Sequence, residues 1–374
     1  MGMGYQGFVR FYRSGNTYPS APTNPLVILA TGASVNMVLE PITSSSVWGA
    51  GWYNAAMSAH YADAAIRFEG NVDFELQGSS NLWDLLEDWL ITNRAYPKSL
   101  DISPDGSRIY RYWTNGAYGS NYTYRGSWNT SAGFSTSEGS FVTLSAGVIA
   151  LDRDEVDPAG GTDFTSYTYI ATKTGVITGT CSDVFDDTNP LNPSGNNVDP
   201  IPYWRTKAEL LRGTFPTAVG TLFAGGAVPQ TGIETVEWSV DITQNHVVLY
   251  TCNGGRLPTA LLQGPMDATG NVVLYHPNGV FDPVLGPAGT NSLTDPYLYA
   301  QVTWFRVTVE RGTLTTVYIM LPAVIVESDD YGIAGQSDLS NRGFGIKGLG
   351  GRCVQSTLLP PVVMSDSAGA FVAP

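Results

Sequence analysis

Charge is scarce in this 374-residue chain: Asp, Glu, Lys and Arg together make up 14% of it. The basic residues are the scarcer, 19 against 33 acidic, for a formal net charge of −14. No Lys/Arg-rich stretch supplies the counterion-releasing contacts that tight DNA binding needs, although an acidic wall lets a polyanion slide past without sticking. Cysteine is scarce too: Cys181, Cys252 and Cys353 lie far apart, and their odd number argues against a disulfide framework. Buried, reduced thiols are the expectation. Long hydrophobic runs are absent. The longest, Val317 to Val326, is interrupted by Pro322 and is too short to cross a bilayer, so no membrane segment is expected. The N-terminal MGMGYQGFVRF has no basic segment followed by an apolar core, and Gln6 stands where a myristoylation motif calls for Ser or Thr. Synthesis and assembly in a cytoplasm follow, and the Asn-X-Ser/Thr sequons at Asn121 and Asn129 carry no meaning without secretion.

Signatures of catalysis are missing as well. His60, His246 and His276 are isolated, and none has a Cys, Asp or Glu at a metal-ligand spacing, so no metal is expected. No Ser stands in G-x-S-x-G. Gly343, Gly345 and Gly348 satisfy G-x-G-x-x-G, but paired prolines follow where a dinucleotide site needs a helix, and a glycine loop is expected instead, with no cofactor. Asp152, Asp154, Glu155 and Asp157 offer hard oxygens, yet Val156 breaks the EF-hand order and a solvated linker is the better account. Glu87 with Asp88, or Glu69 with Asp73 and Glu75, are the pairs a glycosidase would draw on. The expectation is a protein that is not an enzyme.

What is present points to strands and turns. Gly (42) and Tyr (20) are plentiful, and 374 residues suit two domains of moderate size. The clearest strand is Ile66 to Gln77, apolar at Ile66, Phe68, Val72, Phe74 and Leu76 and polar, mostly acidic, between them. Leu82, Leu85, Leu86, Trp89 and Leu90 then fall at helical spacing behind Ser80 and Asn81, which predicts an amphipathic helix covering a sheet. Strands over Tyr118 to Leu151 lead to the acidic, Pro/Gly-containing stretch Asp152 to Gly161, the expected domain boundary. The order then recurs: a strand region over Tyr167 to Thr180, a short helix about Tyr203 to Arg212, and an alternating strand Ile233 to Ile242 with Glu237, Ser239 and Asp241 on its polar side. Asn245 to Cys252, Tyr297 to Arg311 and Leu314 to Val326 are further strands, and Pro25 to Pro41 reads as a long hairpin. The expected fold is mainly β: two tandem β-barrel or sandwich modules, each with one flanking α-helix and long hairpins. The divisions are an N-terminal arm over 1–25, module 1 over 26–155, a linker over 156–165, module 2 over 166–355 and a C-terminal extension over 356–374, with neither terminus in a core.

At FEGNVDFELQGSSNLWDLLEDWL and at TVEWSVDITQNHVVLYTCNGGRLPTALLQGPMDATGNVVLYH, the chain resembles the tail tube (major tail) proteins of long-tailed phages. The resemblance implies a virion component. In that family six β-modules form each ring of a stacked tube, so two modules per chain imply a trimeric, pseudo-hexameric ring. It also implies tape-measure, terminator and distal-hub partners, and genomic DNA passing through the lumen without specific binding. Low charge and many tyrosines suit ring interfaces, made partly by the Pro25 to Pro41 hairpin and a second one within Tyr297 to Val326. Val317 to Leu321, apolar on both faces, calls for a neighbour to cover it. If the sheets line the tube, the lumen residues are Glu69, Asp73, Glu75, Glu237 and Asp241, opposed by Arg67. The same composition also suits a carbohydrate-binding or receptor-binding β-rich protein, which should show an exposed Trp cluster on one face. It suits less readily a β-sandwich glycoside hydrolase, which should show convergent carboxylates in a cleft.

Overall fold

A computed structural model describes residues 8–12, 25–28, 30–43, 61–76, 86, 98–103, 121–156, 200–212, 215, 234–252, 256–262, 264–275, 303–311, 315–331 and 341–365. The described strands are β1 (Phe8–Tyr12), β2 (Pro25–Ile28), β3 (Gly32–Thr43), β4 (Tyr61–Glu75), β5 (Lys98–Ser103), β6 (Asn121–Thr136), β7 (Thr143–Val156), β8 (Thr206–Arg212), β9 (Glu234–Gln244) and β10 (Val247–Leu249). They continue with β11 (Ala260–Leu262), β12 (Met266–Tyr275), β13 (Thr303–Arg311), β14 (Thr315–Leu321), β15 (Val324–Tyr331), β16 (Asn341–Gly348), β17 (Cys353–Val354), β18 (Thr357–Leu358) and β19 (Val363–Ser365). The protein is mainly β, with large antiparallel sheets, as expected.

Alternation builds the large sheet. Phe68, Val72, Phe74 and Leu76 of the β4 segment, Phe134 of β6, Leu144, Ala146 and Val148 of β7, and Trp238, Val240 and Ile242 of β9 are buried on one face, while the residues between them turn to the other. The strands pair antiparallel in the order β3-β4-β7-β6-β9-β12-β16-β15, and the first half of β6 also carries β5, β1 and β2. A second sheet, β19-β14-β13-β8, lies against its apolar face. One core fills the gap, with Leu210, Phe305, Val307, Val317, Ile319 and Met364 from the small sheet meeting Phe74, Phe134, Val240 and Phe344 from the large one. The chain passes from the small sheet to the large between β14 and β15, at Pro322 and Ala323, where a proline without a backbone donor costs no ladder hydrogen bond.

Several expectations need correction. The acidic stretch does not begin a linker at Asp152, because β7 runs on to Val156 against β6. Nor do the two halves hold separate cores: β6 pairs with β9 from Ser131↔Thr243 to Thr136↔Trp238, and residues from both halves share the one core. The second half of β6 needs a neighbour on its far side, and β9 supplies it. The segment Tyr203 to Arg212 is a single 3-10 turn, Tyr203–Arg205, followed by β8 rather than a helix, so the repeated strand-helix order fails there. Pairing with β13 overrides the helix-forming composition of KAELLR, and Ala208 and Leu210 alternate into the core.

Pro25 to Pro41 is not a hairpin, since β2 pairs with β1 and β3 with β4. The glycines of GFGIKGLGG lie on and just after a strand, β16, that buries Phe344 and Ile346. The C-terminal extension contributes Leu359, Val362, Val363 and Met364 to the interior, and β19 pairs with β14. Cys252 and Cys353 are exposed rather than buried. Of the predicted helix at Leu82 to Leu90, Leu86 is helical and buried; its other residues, like Tyr167 to Thr180, Cys181, His60 and His276, lie outside the described residues. Among the described residues no helix is long and apolar enough to cross a membrane, which says nothing of strands.

Candidate functional site

Cross-strand register decides which side chains share the outer face of the large sheet, because directly paired residues point the same way. One row runs Gly32, Asp73, Ser145, Gly133, Asp241, Thr269, Lys347 across β3, β4, β7, β6, β9, β12 and β16. A second runs Glu75, Thr143, Ser135, Ser239, Asn271, Gly345, and a third runs Ser34, Asn71, Gly147, Ser131, Thr243, Asp267. Glu69 and Glu237 continue β4 and β9 on this same side. All five predicted acidic residues thus stand on one face of one sheet. Asp73 and Asp241 are three strand spacings apart, roughly 14 Å along the row.

The side chains between them are small. Ser145 Oγ donates to Asp73 Oδ1 at 2.6 Å, which draws that carboxylate towards β7. From the other side Asp241 lies over Gly133, its Oδ1 2.8 Å from where a Cβ at that position would stand. A Cβ at that position would have to displace the carboxylate oxygen, so the bare glycine lets Asp241 lie flat on the sheet. Burial raises the Asp241 carboxyl above the usual range. Asp73, Glu75, Asp241, Thr31, Ser135 and Ser145 ring an open depression of about 480 Å³. Glu69 differs from the rest, since Arg67, two residues along the same face of β4, is ion-paired with it. What the arrangement offers chemically is negative charge spread over hydroxyls and bare backbone. Among the described residues, no group of three or more His, Cys, Asp or Glu side chains forms a candidate metal site.

Sequence reasoning missed two charged members of this face, Asp267 and Lys347, the latter closing the first row and lying 3.9 Å from the Glu327 carboxylate. Asp267, on β12, is paired with Thr243 and accepts a hydrogen bond from Asn245 Nδ2 at 2.9 Å. Its signal was legible: Met266, Ala268, Val272 and Leu274 are the buried partners of an alternating strand that starts at a Gly-Pro turn. Also unforeseen is the cover at the far end. There Trp128, Ile149 and Leu151 rise on the outer face and Val248 of the β10–β11 hairpin packs on them, with the His246 ring edge-on to Trp128 at 5.1 Å. Of the described tryptophans, Trp128, Trp238 and Trp304 are buried and Trp204 is 70% exposed, so they form no exposed cluster on one face.

No family model matches the sequence, and no curated protein matches it either. Among solved structures, one similar chain is the SPP1 tail tube, in a hybrid structure from solid-state NMR and cryo EM. It is 16% identical, with a TM-score of 0.21, over 40% of this chain and 75% of that one. A likeness of that size carries no argument about how this chain works.

Proposed function

We propose that this chain is a structural building block of a phage-type tail tube, in which copies close into rings, rings stack, and the outer face of the large sheet lines a channel for DNA. The observation that carries the reading is the sharing of one face of one continuous sheet by Asp73, Glu75, Glu237 and Asp241, over a floor of Gly, Ser and Thr. Of the five acidic candidates only Glu69 has an ion-pair partner among the described residues. Repeated around a ring, such a face presents bands of negative potential, and low-dielectric walls strengthen the field. Phosphate is repelled, adhesive contacts are prevented, and short side chains leave room for a hydrated gap. Glu69, offset by Arg67, contributes little to the band, and Asp267 extends it.

The covering of Val317 to Leu321 within the chain removes one motive for assembly: Val317, Ile319 and Leu321 lie in the main core and Met320 in a second cluster behind the small sheet. The polar face carries the reading in its place. Three chains per ring is the number expected from two separate modules; with one core shared by both halves that derivation falls away, and electron microscopy of the purified protein counts the chains directly. The mechanism is tested by replacing Asp73, Glu75 and Asp241 together with Lys. Tubes are expected to assemble while DNA transit slows or stalls; normal transit past inward-facing lysines refutes the channel role.

A further inference from the structure

We infer that the outer face of the large sheet is the docking surface for a cationic segment of another protein, one with Lys or Arg at its centre and an apolar residue at each end. The inference goes beyond the channel reading and holds for the single chain, whether or not copies close into a tube. It starts from the side chains that share the face. Asp73, Glu237, Asp241 and Asp267 are exposed on it and Glu75 is half-buried. None of the five has an ion-pair partner among the described residues, and Lys347, at the far end of the first row, is taken up by Glu327. Apolar side chains stand at both ends of these rows and point the same way. At one end is Phe141, one row beyond Glu75, Thr143 and Ser135, on the same side as Thr143 and Ser145 and 46% exposed. Its backbone is fixed: it bridges Pro202, Ser140 O accepts from Tyr203 N at 3.0 Å, and Val142 N donates to Ile201 O at 2.8 Å. An aromatic on so firm a base loses little conformational entropy on docking, which is the character of an interface anchor.

At the other end the β10–β11 hairpin lies on the sheet. Val248 is turned down onto Trp128, Ile149 and Leu151, so Val247 and its cross-strand partner Leu262 are turned up, with Leu249 beside them. Val247 and Leu262 are 58% and 51% exposed. The loop of the hairpin is tied down, since Ile66 N donates to Arg256 O at 2.8 Å. Phe141 stands about level with Glu237, and from there to the hairpin is roughly 30 Å of strand at about 3.4 Å per residue. The charge between the two apolar ends says what fits them. Phosphate is repelled by the carboxylates, and a neutral apolar segment would bury them unpaired. A cationic centre pairs them instead, and complementary charge sets its register between the two anchors. The open depression of about 480 Å³, floored by Gly133, Ser135 and Ser145, leaves room for long Lys and Arg side chains to reach Asp73 and Asp241.

The test uses the full chain, its oligomeric state followed by sedimentation. The probe is a fluorescent peptide of about twenty residues, which spans roughly 30 Å as a helix, with lysines at its centre and leucines at its ends. It is compared with the same peptide carrying serines at its ends and with a DNA duplex. The leucine-ended peptide is expected to bind with an affinity that falls as salt is raised, the serine-ended one to bind about tenfold more weakly, and DNA not to bind. Asp73→Asn, Glu75→Gln and Asp241→Asn together should weaken both peptides and flatten the salt dependence. Phe141→Ser and Leu262→Ser should each weaken the leucine-ended peptide about tenfold and leave the serine-ended one unchanged. Should Phe141→Ser fail to fold, Leu262→Ser carries the test, since its side chain stands on the open side of the hairpin. Equal binding of the two peptides, or binding untouched by these variants, reduces the face to unspecific attraction of polycations and overturns the inference. Failure of the peptide to bind, or tighter binding of DNA, overturns it too. So does a wild-type chain that self-associates and becomes monomeric in Phe141→Ser, because the occupant is then a second copy. Tubes that form without peptide binding leave the channel reading standing, and binding by a chain that forms no tubes leaves this inference standing alone.

Discussion

The two sheets of this protein treat their outer faces in opposite ways. Behind the small sheet, Leu211, Trp304, Met320 and Val363 are covered by the chain itself, with Val354 and Leu359 of the segment after β16 closing over them. The Arg352 guanidinium lies 4.0 Å from the centre of the Phe215 ring, and Phe215 in turn meets Trp304 edge-on. Burial pushes the Arg352 pKa down to about 10. A tight turn at Gln355 and Ser356, both in the left-handed region, brings β18 back beside β17. The outer face of the large sheet has small hydroxylic side chains, glycines and carboxylates, and Asp73, Ser145, Asp241 and Thr269 of its central row are exposed. One face is spent on stability within the chain; the other is left to solvent or to a neighbour.

The largest expected effect follows from the covered face. Trp304→Ala removes the centre of the second cluster, where Trp304 is 2% exposed, and should cost about 4 kcal/mol in urea unfolding. Ser239→Ala, on the bare face, should stay within about 0.5 kcal/mol. Equal losses at the two sites dissolve the contrast between the faces.

A second prediction concerns Glu209, the buried carboxylate of the small sheet and the one buried carboxylate among the described residues. Glu209 is paired with Arg306 Nη2 at 2.7 Å and lies within 2.6 Å of Lys207 Nζ. Burial, the largest influence, works against its charge, but the hydrogen bonds and charges of Lys207 and Arg306 together outweigh it and hold the carboxyl below the usual range. Arg306→Met strands that carboxylate and should cost about 3 kcal/mol. Because the folded pKa is depressed, the stabilisation is fully present above the ordinary carboxylate value and is lost as pH falls through the folded one. Wild-type unfolding free energy should therefore drop more steeply with acid than that of Glu209→Gln; parallel pH profiles contradict the assignment.

The amphipathic strands were legible because one buried face imposes a period of two, and β4 and β9 showed it without interruption. Their acidic residues could be named for the same reason. That they share a sheet could not be read, since pairing of β9 with β6 depends on contacts more than a hundred residues apart in the chain. KAELLR misled because local helix propensity is weaker than a place between Phe305 and Val307 on one side and the large sheet on the other. The C-terminal residues misled because prolines at 360 and 361 suggest an extension, while the Val362, Val363 and Met364 that follow are apolar on both faces and buried.

The smallest expected effect lies at the centre of the bare face and tests what its openness means. Asp241 is solvent-exposed, yet burial against the floor at Gly133 raises its carboxyl pKa. A folded-state pKa above the unfolded one means that the native state binds more protons between the two values, so stability is greatest below the unfolded value and declines as pH rises through the folded one. Charged Asp241 is thus slightly unfavourable to the folded monomer at neutral pH. Asp241→Asn should stabilise by no more than about 0.5 kcal/mol, the range of surface substitutions, at neutral pH, and the gain should vanish below the ordinary carboxylate range. Gly133→Ala should cost more in the wild-type chain than in Asp241→Ala, because its new Cβ meets the carboxylate oxygen. Chemical denaturation at several pH values measures both effects. A gain that persists unchanged in acid refutes the burial origin of the shift, whereas one that vanishes marks Asp241 as a charge kept at some cost to the monomer, as a residue serving the channel wall would be.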